Sequence, residues 1–180
     1  MSIVHRRGQA GPELGLTADR PGTAPRAGWR KGRLPRTLAR VRFMATIDVA
    51  APAQLVYEVY TDVERWPEWT ASVTSAEPLH QGPLRVGSRV RIRQPRLPTA
   101  VWEVTEVVPG RSFTWIARGP GIITTASHVV TPPEADGPTR VTASLQQAGP
   151  LGQVLGFLTK RLTNRYLQTE VRGLKARCEG

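Results

Sequence analysis

Residues 41–60 read Val-Arg-Phe-Met-Ala-Thr-Ile-Asp-Val-Ala-Ala-Pro-Ala-Gln-Leu-Val-Tyr-Glu-Val-Tyr, and the change of period inside this stretch decides the fold. Val41, Phe43, Ala45, Ile47 and Val49 alternate with Arg42, Met44, Thr46 and Asp48, the period of two of a half-buried strand. Ala50 and Ala51 end the alternation. Pro52 then suits the first turn of a helix that runs to about Tyr60, with Leu55, Val56, Val59 and Tyr60 on one face. Asp62 is placed to cap a second short helix, broken near Pro67.

Beyond that elbow the chain reads as six successive strands, at 72–80, 87–94, 100–108, 111–118, 121–131 and 139–147. Turn chemistry separates them at Gln81-Gly82-Pro83, Pro95 to Pro98, Pro109-Gly110, Gly119-Pro120 and Asp136-Gly137-Pro138. Such short links imply antiparallel neighbours. Gly149-Pro150 opens a last segment that runs from Leu151 to about Arg177 without another proline, enough for a helix of about 40 Å. Leu151, Val154, Leu155, Leu158, Leu162 and Tyr166 form one stripe on it, and Leu167, Val171 and Leu174 lie nearly opposite. The pattern predicts one long helix touched from two sides.

Upstream of residue 41 the pattern vanishes. Residues 1–40 hold nine Arg and Lys against two acids, so most of the chain's net charge of +11 lies there, with six Gly and four Pro among them. This stretch lacks the apolar surface to offset its ordering entropy and reads as a basic, disordered tail ahead of one domain at 41–180. Three readings stand for it: an over-long start, with Met44 as the true first residue; a tail without function; or an arm for phosphates or anionic lipid. The lone Cys178 excludes an internal disulfide and points to a reducing, cytoplasmic setting. No stretch reaches the roughly 20 apolar residues of a membrane helix, and Gly8, Gln9, Gly11, Pro12 and Glu13 stand where a secretory peptide would be apolar.

One strand, two small helices, six strands and a long helix is an unusual order, and at this point the chain resembles the START-like superfamily. Within it the chain is similar to the polyketide cyclase/dehydrase-like group (SRPBCC), which shares the birch-pollen-allergen fold. The residues that carry the likeness are Ile47 to Pro52, Leu55 to Tyr60, Thr61-Asp62-Val63-Glu64-Arg65-Trp66-Pro67-Glu68-Trp69, Val86-Gly87-Ser88, Val104 to Gly110 and the closing Leu174-Lys175. The resemblance implies an α+β helix-grip fold, in which a curved seven-stranded antiparallel sheet wraps the last helix around an apolar cavity. It also implies binding of lipids, sterols, polyketides or other flat hydrophobic molecules, with cyclisation or dehydration in a minority of members. The group offers no shared catalytic motif to transfer, so the likeness supports binding and leaves catalysis open.

Strand register indicates what faces that cavity. Pairing Val108 with Arg111 across Pro109-Gly110 sets Phe113 opposite Glu106, Trp115 opposite Val104 and Ala117 opposite Trp102. A two-residue turn at Gly119-Pro120 puts Ile122, Thr124, Ala126 and His128 on the same face, whereas a three-residue loop at Gly119 to Gly121 would turn them over. The expected wall is therefore Trp102, Val104, Glu106, Phe113, Trp115, Ala117, Ile122, Thr124, Ala126 and His128, with Leu158 and Leu162 from the last helix. The competing reading is that these aromatics simply fill a core. Trp66 and Trp69 carry the same ambiguity, between packing under the helix elbow and rimming the pocket. Glu106 and His128 are the candidate acid and base, about 12 Å apart between backbones by strand spacing, unless they are a solvated strand Glu and a core or exposed His.

Standard catalytic signatures are missing from the sequence. His5, His80 and His128 share no metal-ligand spacing, and Gly119-Pro120-Gly121 lacks the third glycine of a dinucleotide fingerprint. Neither a phosphate loop nor a nucleophile elbow occurs, so no metal and no cofactor is expected. Arg89, Arg91 and Arg93 alternate with Val90 and Ile92 and should form a solvated outer face, with anionic-surface binding as the second reading. The sequence thus points to a binder of a hydrophobic small molecule. Two alternatives stand beside it: a cyclase or dehydratase, and an interaction protein that meets nucleic acid or anionic membrane through its basic residues.

Overall fold

A computed structural model describes residues 40–180. The expected basic tail at 1–40 lies, but for Arg40, outside the described residues. Strand β1 (Val41–Val49) is followed by helix α1 (Ala53–Thr61), a 3-10 turn (Val63–Arg65) and the single-turn helix α2 (Trp66–Trp69). Strands β2 (Ser75–Pro78), β3 (Arg89–Arg93), β4 (Ala100–Val108), β5 (Ser112–Gly119), β6 (Ile122–Thr131) and β7 (Thr139–Ala148) come next. Helices α3 (Pro150–Leu158) and α4 (Lys160–Glu179) close the chain. The seven strands form one antiparallel sheet in the order β1-β7-β6-β5-β4-β3-β2, so the helix-grip architecture that the resemblance implied is present.

The first crossover explains the topology. β1 pairs with β7, Val49 opposite Thr139 and Val41 opposite Gln147, while α1 and α2 carry the chain across the inner face to β2 at the far edge. Val56 and Tyr60 of α1, Val63 of the turn and Trp66 of α2 are buried there. Asp62 does not cap with its side chain as expected. The turn is held by the Arg65 amide donating to the Asp62 carbonyl, and the Asp62 carboxylate lies 3.7 Å from the Arg65 guanidinium. Trp66 donates through Nε1 to the Tyr60 carbonyl at 3.0 Å, which satisfies a helix-end acceptor and ties the elbow together.

α4 grips this layer by its second half. Leu167, Val171 and Leu174 are buried, and Gly173 lets the helix backbone meet the Trp69 carbonyl, where a Cβ would collide. The end of α4 is pinned to β1: Lys175 Nζ donates to the Asp48 carbonyl at 2.7 Å, and the Ala50 amide donates to Glu179 Oε1 at 2.6 Å. On β3 the burial alternates as expected, with Val90 and Ile92 buried and Arg89, Arg91 and Arg93 exposed. Arg91 is spent on Glu77 of β2, 2.5 Å away.

The expected continuous C-terminal helix is two helices. The break falls at Thr159, whose hydroxyl and amide both donate to the Leu155 carbonyl at 2.7 Å. Its cause is the pair Gly152 and Gly156. These two buried glycines seat α3 on the sheet end, where a Cβ on Gly156 would stand 2.9 Å from Gln147 Oε1 and 3.0 Å from Val41 Cβ. Large side chains cannot share that contact, so the stripe Leu151, Val154, Leu155 and Leu158 faces outward, exposed, together with Phe157. Leu158 is therefore no part of an interior wall, being 71% exposed.

Candidate functional site

The inner face of β4, β5 and β6 carries the expected wall with one exception. Trp102 sits opposite Ala117 and Val104 opposite Trp115, as the sequence register requires. After Val104 the register slips at a bulge, so that Glu106 pairs with Thr114 and Val107 with Phe113. An extra residue, Thr105, stands in β4 without a partner, and each later side chain is turned over. Glu106 is consequently exposed on the outer side and does not face His128, while Val107 takes the half-buried place. The next hairpin turns at Pro120-Gly121, one residue later than expected, with Gly119 opposite Ile122 and Phe113 opposite His128. That shift moves both strands together, so Thr124, Ala126 and His128 keep the inward side.

His128 is 3% exposed and boxed by aromatic rings. Phe113 stacks on it at 4.3 Å between centroids, and Tyr60, Trp66 and Trp115 meet it edge to face at 4.9, 5.5 and 5.4 Å. Its Nε2 lies 3.4 Å from Oε1 of Glu170, a buried acid of α4. Tyr60 donates its hydroxyl to that same oxygen at 2.5 Å. Burial, and then the Glu170 carboxylate beside it, hold the Tyr60 hydroxyl well above the ordinary tyrosine range. An acid, an imidazole and a phenol from three elements thus converge in an aromatic shell. His128 Nδ1 and Trp69 Nε1 nearby are buried with no hydrogen-bond partner among the described residues.

Burial on this face changes from one end of the strands to the other. Val104, Phe113, Trp115, Ala126, His128 and Val130 are buried around the polar trio. Towards α3, Ala100, Ala117, Ile122, Thr124, Leu145 and Gln147 are only half-buried, as is Leu162 of α4. Gln147 Oε1, under Gly156, is a third buried atom without a partner among the described residues. Two open pockets lie elsewhere: one of about 300 Å³ between Asp62, Glu64, His80 and Leu84, and one of about 180 Å³ between Leu55, Arg65, Trp69 and Arg177.

Of the residues expected at the site, Trp102, Val104, Phe113, Trp115, Ala126 and His128 are brought together, Ala117 and Thr124 lie at the looser end, Leu162 is half-buried on a different side of α4 from Leu167, Val171 and Leu174, and Glu106 and Leu158 point away. Trp66 packs under the elbow against Tyr60 and Trp115. Sequence reasoning missed Tyr60 as a polar group and Glu170 altogether. Glu170 was nonetheless marked: it falls three residues after Leu167 and four before Leu174, inside the buried stripe of α4. Among the described residues no group of three His, Cys, Asp or Glu could hold a metal ion, and no helix is long and apolar enough to cross a membrane.

No curated protein matches the chain significantly. Solved structures do. A START superfamily protein from Mycobacterium smegmatis is 19% identical, with a TM-score of 0.61 over 77% of this chain and 97% of its own. The di-domain ARO/CYC StfQ of the steffimycin biosynthetic pathway is 15% identical, with a TM-score of 0.64 over 78% of this chain and 51% of its own. Ginseng major latex-like protein 151 from Panax ginseng, also 15% identical, gives 0.59 over 77% and 97%. At such identities these likenesses establish the fold alone. The family model described as polyketide cyclase/dehydrase and lipid transport matches residues 40–179, nearly the whole of the region described above, and the chain belongs to that family.

Proposed function

We propose that the protein binds a hydrophobic small molecule on the inner face of the sheet, at the half-buried end under α3. The ligand's polar end would be directed along the wall towards His128, Glu170 and Tyr60. The observation that carries this reading is the graded burial of a single face. Aromatic side chains line its buried end and mostly aliphatic ones its looser end, and the buried polar atoms without partners, on Gln147 and His128, stand along it. A bound molecule that supplied donors or acceptors to those atoms would recover desolvation already incurred. The family description covers both lipid transport and cyclase chemistry, so the chemical class of ligand is part of the proposal. The lone, half-buried Cys178 suits a reducing, cytoplasmic setting for it.

Fluorescence titration tests the reading, because Trp102 and Trp115 stand on the wall with their rings tilted to each other and 5.4 Å between centroids. A panel of fatty acids, sterols and aromatic polyketides is expected to change tryptophan emission for at least one class. Thr124→Trp, which fills the looser end, should abolish that response. His128→Ala should weaken binding by roughly ten- to a hundredfold, the cost of an unpaired buried polar group, and Glu106→Gln should leave it unchanged. Silence from every class in the unmodified protein would defeat the proposal.

A second reading, an enzyme of cyclase or dehydratase type, is favoured by one observation: the buried carboxylate, imidazole and phenol lie within a few ångströms of one another. As general acid and base they would contribute about two to four orders of magnitude. With ligand saturating, conversion followed by mass spectrometry and lost in Glu170→Gln would establish turnover. Binding without conversion would leave the trio as orienting groups.

A further inference from the structure

α3 is built inside out. Its two glycines face the protein, and Leu151, Val154, Leu155, Phe157 and Leu158 face solvent, Phe157 80% and Val154 57% exposed. Gln153 is the only polar side chain the helix itself carries. A monomer in water has no use for such a surface, which is of the kind that marks an interface with lipid or protein. The charge around it identifies which. Lys160, Arg161 and Arg165 follow directly, all exposed, and residues 149–169 contain no acid. The chain also enters β1 beside α3, at Val41, after 40 residues that carry nine Arg and Lys against two acids.

From this we infer that α3 is a membrane-docking helix, which inserts Phe157, Leu158 and Val154 into the interface of an anionic bilayer while Lys160, Arg161 and Arg165 meet the lipid phosphates. An apolar helix face bordered by cations is the arrangement that holds interfacial helices on anionic lipid. A second copy of this chain is the poorer occupant. Joining two α3 helices would bring two acid-free cationic runs together, whereas anionic headgroups neutralise them. The inference stands apart from the ligand proposal, since it concerns the outer surface of α3 and its test contains no ligand.

The test is flotation of the full chain with vesicles of phosphatidylcholine alone and of phosphatidylcholine mixed with phosphatidylglycerol. Binding is expected with the mixed vesicles and should weaken as salt is raised. F157S/L158S, which alters only exposed side chains, should lower vesicle affinity by about tenfold or more with the melting temperature unchanged. K160E/R161E should erase the preference for anionic lipid. In F157W the new indole should shift to the blue only when mixed vesicles are added. The inference is overturned if the protein floats with neither vesicle. It is equally overturned if F157S/L158S binds as well as the parent, which would assign binding to the basic residues upstream of β1, or if light scattering shows a dimer that F157S/L158S dissolves.

Discussion

Tyr60 donates its one hydroxyl hydrogen bond to Glu170 in a site sealed by Trp66, Phe113 and His128, so its worth is that of a hydrogen bond to a buried carboxylate. Tyr60→Phe should therefore cost about 2 kcal/mol of stability at neutral pH, because it leaves the acid short of a donor. The pH dependence has a definite sign. The folded protein holds this phenol proton above the ordinary tyrosine pKa, so above about pH 10 the unfolded chain releases it and the folded chain does not. Stability from this group is complete below that pH and declines as pH rises further. Urea unfolding between pH 7 and 11 should show the gap between the parent and Tyr60→Phe narrowing above pH 10, and a constant gap would contradict the assignment.

At the scale of elements, β1 begins before Met44 and depends on what precedes it. Phe43 is 4% exposed, and Val41 lies under Gly156. A chain starting at Met44 would lose both. The cost expected for one buried phenylalanine alone is about 3 kcal/mol or more, roughly 6 to 12 °C in melting temperature for a domain of this size. Removal of residues 1–39 alone, which contain no patterned apolar run, should leave the melting temperature within about 2 °C. Calorimetry of the two truncated chains separates these outcomes, and equal melting temperatures would remove β1's first turn of pleat from the core.

Across the whole molecule, order should follow the anchors. The last part of α4 is tied by Lys175 and Glu179 to both sides of the β1 end and buries Leu167, Val171 and Leu174. α3 has only a two-glycine seat and no buried side chain. Hydrogen exchange should accordingly find the amides after Leu167 among the slowest in the protein and those of α3 among the fastest of its helices. Equal protection along residues 150–179 would mean that α3 is held by contacts stronger than its glycine seat.

By itself the sequence determined the order of strands and helices as far as β7, the antiparallel pairing of successive strands from β2 to β7 and the inward set Trp102, Val104, Phe113, Trp115, Ala126 and His128. These rest on local period and turn chemistry, which act between neighbours in the chain. The tertiary structure alone decided three things. The unpaired Thr105 turns Glu106 outward, and a bulge exists only relative to the partner strand that lacks the extra residue. Glu170 replaces Glu106 as the acid beside His128, a meeting of residues more than forty positions apart that periodicity cannot express. The helix breaks at Thr159 because Gly152 and Gly156 press α3 onto Gln147 and Val41 while Leu167 and Leu174 hold α4 on the inner face, and a single straight helix cannot satisfy both contacts.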